Sequence, residues 1–204
     1  HGNMNGTSYQ VLHAKKMQKQ GKNFKPIYGV EAYFIPSVAK WKEEYETIKS
    51  RAKKKSEYEA GHSGTTVENE ASKKKMKSVL NRRRHLILLA QSQEGLQNIF
   101  KMISTSYIGD NFYRYPRVDY ALLKKYNKGV IAASACLGGV YAGSYWENRD
   151  EGPDAILDAM RTTTQKMQSI FGDRWYGELQ WNNIPEQHEL NQYIIQMHHE
   201  LLSS

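Results

Sequence analysis

Apolar residues fall into short runs and helical stripes along this chain, and their alternation predicts most of its elements. Over 7–20, Val11, Leu12, Ala14 and Met17 fit one side of a helix, with Gly21 as its stop. Residues 25–34 read as a strand: Pro26 opens it, Ile27, Val30, Ala32 and Phe34 give it buried character, and Pro36 ends it. A charged helix is expected over 40–59, then a solvated loop over 60–80. The run at 85–90 suits a buried strand, and Ser92 caps a helix carrying Leu96, Ile99, Phe100, Ile103 and Tyr107. After a loop over 108–118, Asp119 caps a short helix over 120–126. The run at 129–134 is another buried strand, leading into Cys136-Leu137-Gly138-Gly139. Pro153 begins a helix that buries Ile156, Ala159, Met160, Met167 and Ile170 and stops at Gly172. Residues 174–180 form a strand. Pro185 starts a last helix with Leu190, Tyr193, Ile194, Met197 and Leu201 on one face.

Strands alternating with amphipathic helices argue for an α/β fold with a parallel sheet, either a barrel or an open sheet. At 204 residues the chain can bury one sizeable core. No apolar run approaches the roughly 18 residues of a membrane span, and no charged start leads into an apolar run, so neither a membrane helix nor a signal peptide is expected. The chain opens on His1 without an initiator methionine and closes at the end of an amphipathic helix, so both ends are expected to be cuts. The single cysteine, Cys136, excludes an intramolecular disulfide framework and fits a reducing cytosol.

The net charge of +8 is concentrated in one segment. Residues 40–84 hold 14 Lys or Arg against 7 Asp or Glu, while the rest of the chain is close to neutral. Residues 37–84 therefore read as a basic, flexible insertion within a domain spanning 1–204. Its runs at 51–55, 73–77 and 82–84 can attract phosphates or simply keep a loop in water. With only Trp41, Tyr45 and Tyr58 as aromatics, the segment does not resemble a stacking platform for single strands.

In parallel α/β folds active groups gather at strand ends. Glu31, His85 and Cys136 lie in or next to expected strands, and His1 stands at the very start. Imidazole, carboxylate and thiolate are ligands for zinc, and the first two also suit manganese or iron. A lone histidine or cysteine in such a place is ordinarily a packed residue. Glu31 stands out, because a carboxylate between apolar strand residues is costly without a cation. His13, His62, His188, His198 and His199 fall on expected helix surfaces or in the insertion and receive no chemistry.

Seven phrases then carry a resemblance. They are His1-Gly2-Asn3-Met4; Lys25-Pro26-Ile27-Tyr28-Gly29-Val30-Glu31-Ala32-Tyr33; 85–90 with Glu94-Gly95-Leu96-Gln97-Asn98; Pro116-Arg117-Val118-Asp119; Ser134-Ala135-Cys136-Leu137-Gly138-Gly139; 171–180; and Ile184-Pro185-Glu186-Gln187. In this order they are similar to the PHP domain (polymerase and histidinol phosphatase family) of bacterial-type replicative DNA polymerase III alpha subunits. They cover nearly the whole chain outside about 37–82, the segment in which this chain is longer than common members.

The resemblance implies a distorted (β/α)7 barrel, here incomplete at both ends. It implies a divalent metal cluster (zinc, manganese or iron) with His1, Glu31, His85 and Cys136 as ligands. Two further ligand phrases, a His-x-His and an Asp-x-His, would lie before residue 1 and after Ser204. The implied activity of the intact domain is a metal-dependent 3′–5′ exonuclease that proofreads the primer end. The parent would be a DNA polymerase whose magnesium sits in a separate, absent domain. Its implied partners are primer-template DNA, a sliding clamp and a separate exonuclease subunit, in the cytoplasm and with no membrane. The chain alone is expected to show neither polymerase activity nor a complete metal site. The resemblance implies no catalytic residue, and Glu178, in the expected strand over 174–180, is not among the implied ligands. The alternatives are a metal-free docking module of the same polymerase, a free-standing PHP phosphoesterase, and a basic nucleic-acid-binding module of unrelated fold.

Overall fold

The computed structural model describes residues 2–60, 74, 78–79 and 81–203. Helix α1 (Thr7–Lys19) precedes strand β1 (Gly29–Phe34) and helix α2 (Val38–Ala60). Strand β2 (Arg84–Ala90) leads to α3 (Gln93–Ser106), a small hairpin of β3 (Phe112–Tyr113) and β4 (Tyr115–Pro116), and α4 (Tyr120–Lys125). Strand β5 (Val130–Ala133), α5 (Val140–Asn148), α6 (Pro153–Phe171), β6 (Trp175–Tyr176) and α7 (Pro185–Ser203) complete the order. No described helix is long and apolar enough to cross a membrane.

The expectation of a parallel sheet needs correction. The main sheet runs β1-β2-β5-β6, with β1·β2 and β2·β5 antiparallel and only β5·β6 parallel. The register supplies the reason. Phe34, the last residue of β1, faces Arg84, the first of β2, so the chain leaves and re-enters the sheet at one end. Ala90 and Val130 repeat this at the other end. Long excursions that return to the edge they left give antiparallel neighbours; a parallel neighbour needs a crossover from one end to the other. Among the described residues the sheet is open, with β1 and β6 at its edges, and does not close into a barrel.

Alternation in β1 sends Val30, Ala32 and Phe34 into the core, and Leu86 and Leu88 of β2 join them. Ile99 and Met102 of α3, Met160 and Met167 of α6, and Ile194 of α7 pack on that face. On α3, Phe100 is exposed and Asn98 is buried instead, its Nδ2 donating to the Lys128 carbonyl at 2.9 Å. On α1 only Ala14 is buried, while Leu12 faces solvent. The expected strand over 174–180 shrinks to Trp175–Tyr176, and α5 had not been foreseen.

Part of the basic segment is packed. Val38, Trp41, Tyr45 and Ile48 line one stripe of α2 and, with Ile35 and Val79, form a second small core. Beneath it Arg117 is fully buried, its guanidinium 4.2 Å from the Trp41 ring centroid and its Nη1 donating to the carbonyls of Tyr113 and Tyr115. Burial, with Arg83 nearby, holds Arg117 down to about 10. Of the loop expected over 60–80, residues 61–73, 75–77 and 80 lie outside the described residues, whereas 74, 78 and 79 are helical.

Asp119 joins this second core to the first. Its Oδ1 accepts the Leu122 N–H at the start of α4 (3.0 Å), and its Oδ2 accepts the Val38 N–H at the start of α2 (3.1 Å). One carboxylate thus serves two helix N-termini. Asp119→Ala is expected to lower unfolding free energy by about 2 kcal/mol, roughly one per helix start. A loss in urea titration near that of a single cap would show that the Val38 bond contributes nothing.

Candidate metal centre

The face of the sheet opposite the core carries the chemistry. Because Val30 and Ala32 point inward, Glu31 and Tyr33 point the other way. The pairing Tyr33↔His85 sets His85 diagonally across from Glu31 on that face. The two side chains meet at 2.8 Å, His85 Nδ1 to Glu31 Oε1. Each is about one-quarter exposed, 24% and 26%, so the pair is open to a ligand.

Cys136 arrives from the loop after β5. Ala135 adopts the left-handed conformation (φ 60°), which turns the chain sharply. Gly139 N–H then donates to the Cys136 carbonyl (2.7 Å), and Val140 N–H to the Ser134 carbonyl (3.2 Å). The folded loop docks on β2 through His85 N–H to the Gly138 carbonyl, 2.8 Å. The bond that anchors the loop therefore also brings Cys136 Sγ to 3.3 Å from His85 Nδ1. Gly138 N–H donates to the same sulfur at 3.3 Å. A side chain at Gly138 has little room, since its Cβ would lie 3.2 Å from His85 Nδ1.

Glu31, His85 and Cys136 thus offer a carboxylate, an imidazole and a thiol within 4.8 Å of one another. Among the described residues this is the one cluster of its kind. His1 lies outside the described residues. Its neighbour Gly2 donates its N–H to the Glu31 carbonyl at 2.7 Å. Glu178 lies beyond the end of β6; its carboxylate accepts from Gln180 Nε2 at 2.8 Å and is not part of the cluster. His13, His188, His198 and His199 are exposed and also outside it, and His62 is not among the described residues.

Comparison with known families places the chain as a whole. The family model of the PHP domain matches residues 1–182. The chain belongs to the PHP domain family. It is similar to the DNA polymerase III subunit alpha of Aquifex aeolicus, at 36% identity over 197 residues, covering 97% of this chain and 14% of that protein. It is similar to the subunit alpha of Deinococcus radiodurans at 29% over 191 residues, 94% of this chain and 11% of that protein. The Thermus aquaticus subunit alpha is 36% identical over 110 residues, 54% of this chain and 8% of that protein. The chain therefore spans only 8–14% of the length of these curated relatives. The family drawn from the seven phrases is the family matched.

The donors of this PHP domain fit a divalent cation. Carboxylate, imidazole and thiolate together suit zinc, and the first two suit manganese or iron. In a tetrahedral site with bonds of about 2.0–2.3 Å, donors stand about 3.3–3.7 Å apart. The 2.8 and 3.3 Å separations to His85 Nδ1 approach that spacing, and all three donors lie within 4.8 Å of one another. What sequence reasoning missed is the backbone support: the Gly2 and Gly138 anchors, and Ser134 Oγ, which accepts the Glu178 N–H at 2.8 Å. The Gly-Gly pair just after Cys136 was the available signal, because loops that press backbone against a side chain need bare residues.

Proposed function

We propose that this chain is the PHP part of a DNA polymerase III alpha subunit, and that Glu31, His85 and Cys136, joined by His1, belong to a metal centre that cleaves phosphodiesters at a primer 3′ end. The observation that carries the reading is the meeting of three ligand-type side chains from three separate segments within 4.8 Å. A bound divalent cation of this class supplies Lewis-acid polarisation of a phosphoryl oxygen and a water of lowered pKa. The chain's own residues do the rest. Glu31 and Cys136 supply negative charge, and the Gly138 carbonyl fixes the backbone of His85. His85 Nδ1 lies within hydrogen-bond reach of Glu31 Oε1, and as a metal ligand that nitrogen would bear no proton. The Gly2 bond to Glu31 supports His1 as a neighbouring ligand.

In this reading the open sheet is part of a distorted seven-stranded β/α barrel closed by strands outside the chain. Polymerisation, with its magnesium, belongs to another domain of the parent. Primer-template DNA, a sliding clamp, a separate exonuclease subunit and a cytoplasmic setting follow from the same assignment. A second reading, a metal-free docking module, is favoured by one observation: Glu31, His85 and Cys136 already bond one another through His85 Nδ1.

The parent protein, freed of any separate exonuclease subunit, tests the two readings. Trimming of a mispaired primer 3′ end is expected, with a loss of at least about 100-fold for His85→Ala and polymerisation retained. Equal trimming by His85→Ala, or none by the unaltered parent, would leave the docking module as the better account.

A further inference from the structure

The run Arg82-Arg83-Arg84 stands directly before His85, and its guanidinium groups are not ligands. With Lys40 these arginines line a groove of about 850 Å³ between the end of β1, α2, the start of β2 and α5. Among the described residues four cations meet two anions there, Glu44 and Glu147.

The arginines are held in place. Arg82 forks onto Glu44, with Nη1–Oε2 at 2.6 Å and Nη2–Oε1 at 3.3 Å. Arg84 Nη2 meets Glu147 Oε1 at 2.5 Å. Its side chain lies against bare Gly143, where a Cβ would sit 2.6 Å from Arg84 Nε. The Arg83 guanidinium is 3.9 Å from the Tyr115 ring centroid and 5.0 Å from that of Tyr33, whose ring lies 5.7 Å from the His85 ring. Arg83 Nη1 donates to the Asn81 carbonyl at 2.8 Å, and its Nε is buried without an acceptor among the described residues. A guanidinium has five N–H donors, so these contacts leave donors over.

The arrangement fits an extended anion. Arg82 reaches toward Glu44 on α2, beside Lys40, whereas Arg84 reaches toward Glu147 on α5, so the guanidinium groups turn to opposite walls of the groove. Of the aromatic side chains in its wall Trp41 and Phe34 are buried and Tyr120 is half-buried, its ring edge-on to Phe34, so the groove offers bases little surface to stack on. Guanidinium groups on facing walls with little stacking surface between them suit a phosphate backbone, recognised independently of sequence. We propose that this groove binds the sugar-phosphate backbone of single-stranded DNA and leads the strand to the Glu31–His85–Cys136 centre. The strand's role rests on the phosphoesterase reading; its binding does not.

The test is fluorescence anisotropy of a labelled oligothymidylate of about 20 nucleotides on the 204-residue chain, in chelator and across a salt series. Lys40→Gln and Arg82→Gln are each expected to weaken binding about three- to tenfold and to lower the salt slope by about one. Lys40 is exposed, so its variant keeps the test valid if Arg82→Gln fails to fold. The charge-matched Lys101→Gln and Lys124→Gln, on exposed positions outside the groove, are expected to change binding much less. Equal losses in both sets would overturn the proposal, because the attraction would then be general charge. Binding that is independent of oligonucleotide length and fully displaced by inorganic tripolyphosphate would overturn it too, in favour of a small phosphate ligand. Groove binding in chelator from a parent without nuclease activity would uphold the groove and sink only the phosphoesterase reading.

Discussion

Gly95→Ala is expected to cost more than about 3 kcal/mol of stability, a large share of what a domain this size has. Gly95 sits in the first turn of α3, where that helix abuts the turn before β5. A Cβ there would lie 1.7 Å from the Gly129 carbonyl oxygen and 2.5 Å from its carbon. Both partners are backbone, so no rotamer change can relieve the clash. Gly129 is itself pinned, at φ 65°, with its carbonyl accepting the Gln91 N–H at 2.9 Å. The helix would have to slide off the sheet, taking Ile99 and Met102 with it. Ser92→Ala gives the scale: it removes the cap on Gly95 N–H (3.1 Å) and is expected to cost about 1 kcal/mol. Urea unfolding that ranks Gly95→Ala at or below Ser92→Ala would show that this contact is looser than described.

Gly139→Ala is expected to strike the site as well as the fold. Its Cβ would fall 2.0 Å from the Ser134 carbonyl oxygen and 2.8 Å from that of Cys136. Those two carbonyls accept the N–H groups of Val140 and Gly139, the bonds that close the loop. Opening it moves Cys136 away from His85. Divalent-metal affinity should fall about 10–100-fold, with a stability loss of about 1–3 kcal/mol. Gly138→Ala should be milder, because its neighbour is the His85 ring at 3.2–3.3 Å, which can shift slightly. Competition titrations with a metal indicator rank the two; a stronger effect from Gly138→Ala would contradict the loop's role.

Helices α3, α6 and α7 were legible because each carries one apolar stripe beside polar residues, and Ser92, Pro153 and Pro185 mark their starts. Helix α5 was not, because Val140 through Tyr145 are all buried and leave no periodic contrast. The helix over 40–59 was expected, but the apolar stripe of α2 that packs against Ile35 and Val79 was hidden among lysines. Strand direction was misjudged because apolar runs carry no polarity; the pairings of Phe34 with Arg84 and Ala90 with Val130 exist only in three dimensions. Within the site, Glu31 was conspicuous as a charge in an apolar strand. His85 and Cys136 are 51 residues apart, and without the family phrases only the sheet register and the Gly138 anchor bring them together.

Cobalt(II) titration of the chain examines the centre most directly, since a thiolate bound to cobalt produces a charge-transfer band that an unbound thiol lacks. The unaltered chain should develop that band, Cys136→Ser should abolish it, and His85→Ala should require much more cobalt to reach it. No band at any cobalt concentration, or an unchanged titration in His85→Ala, would contradict the claim that Glu31, His85 and Cys136 within this chain suffice to hold a metal ion.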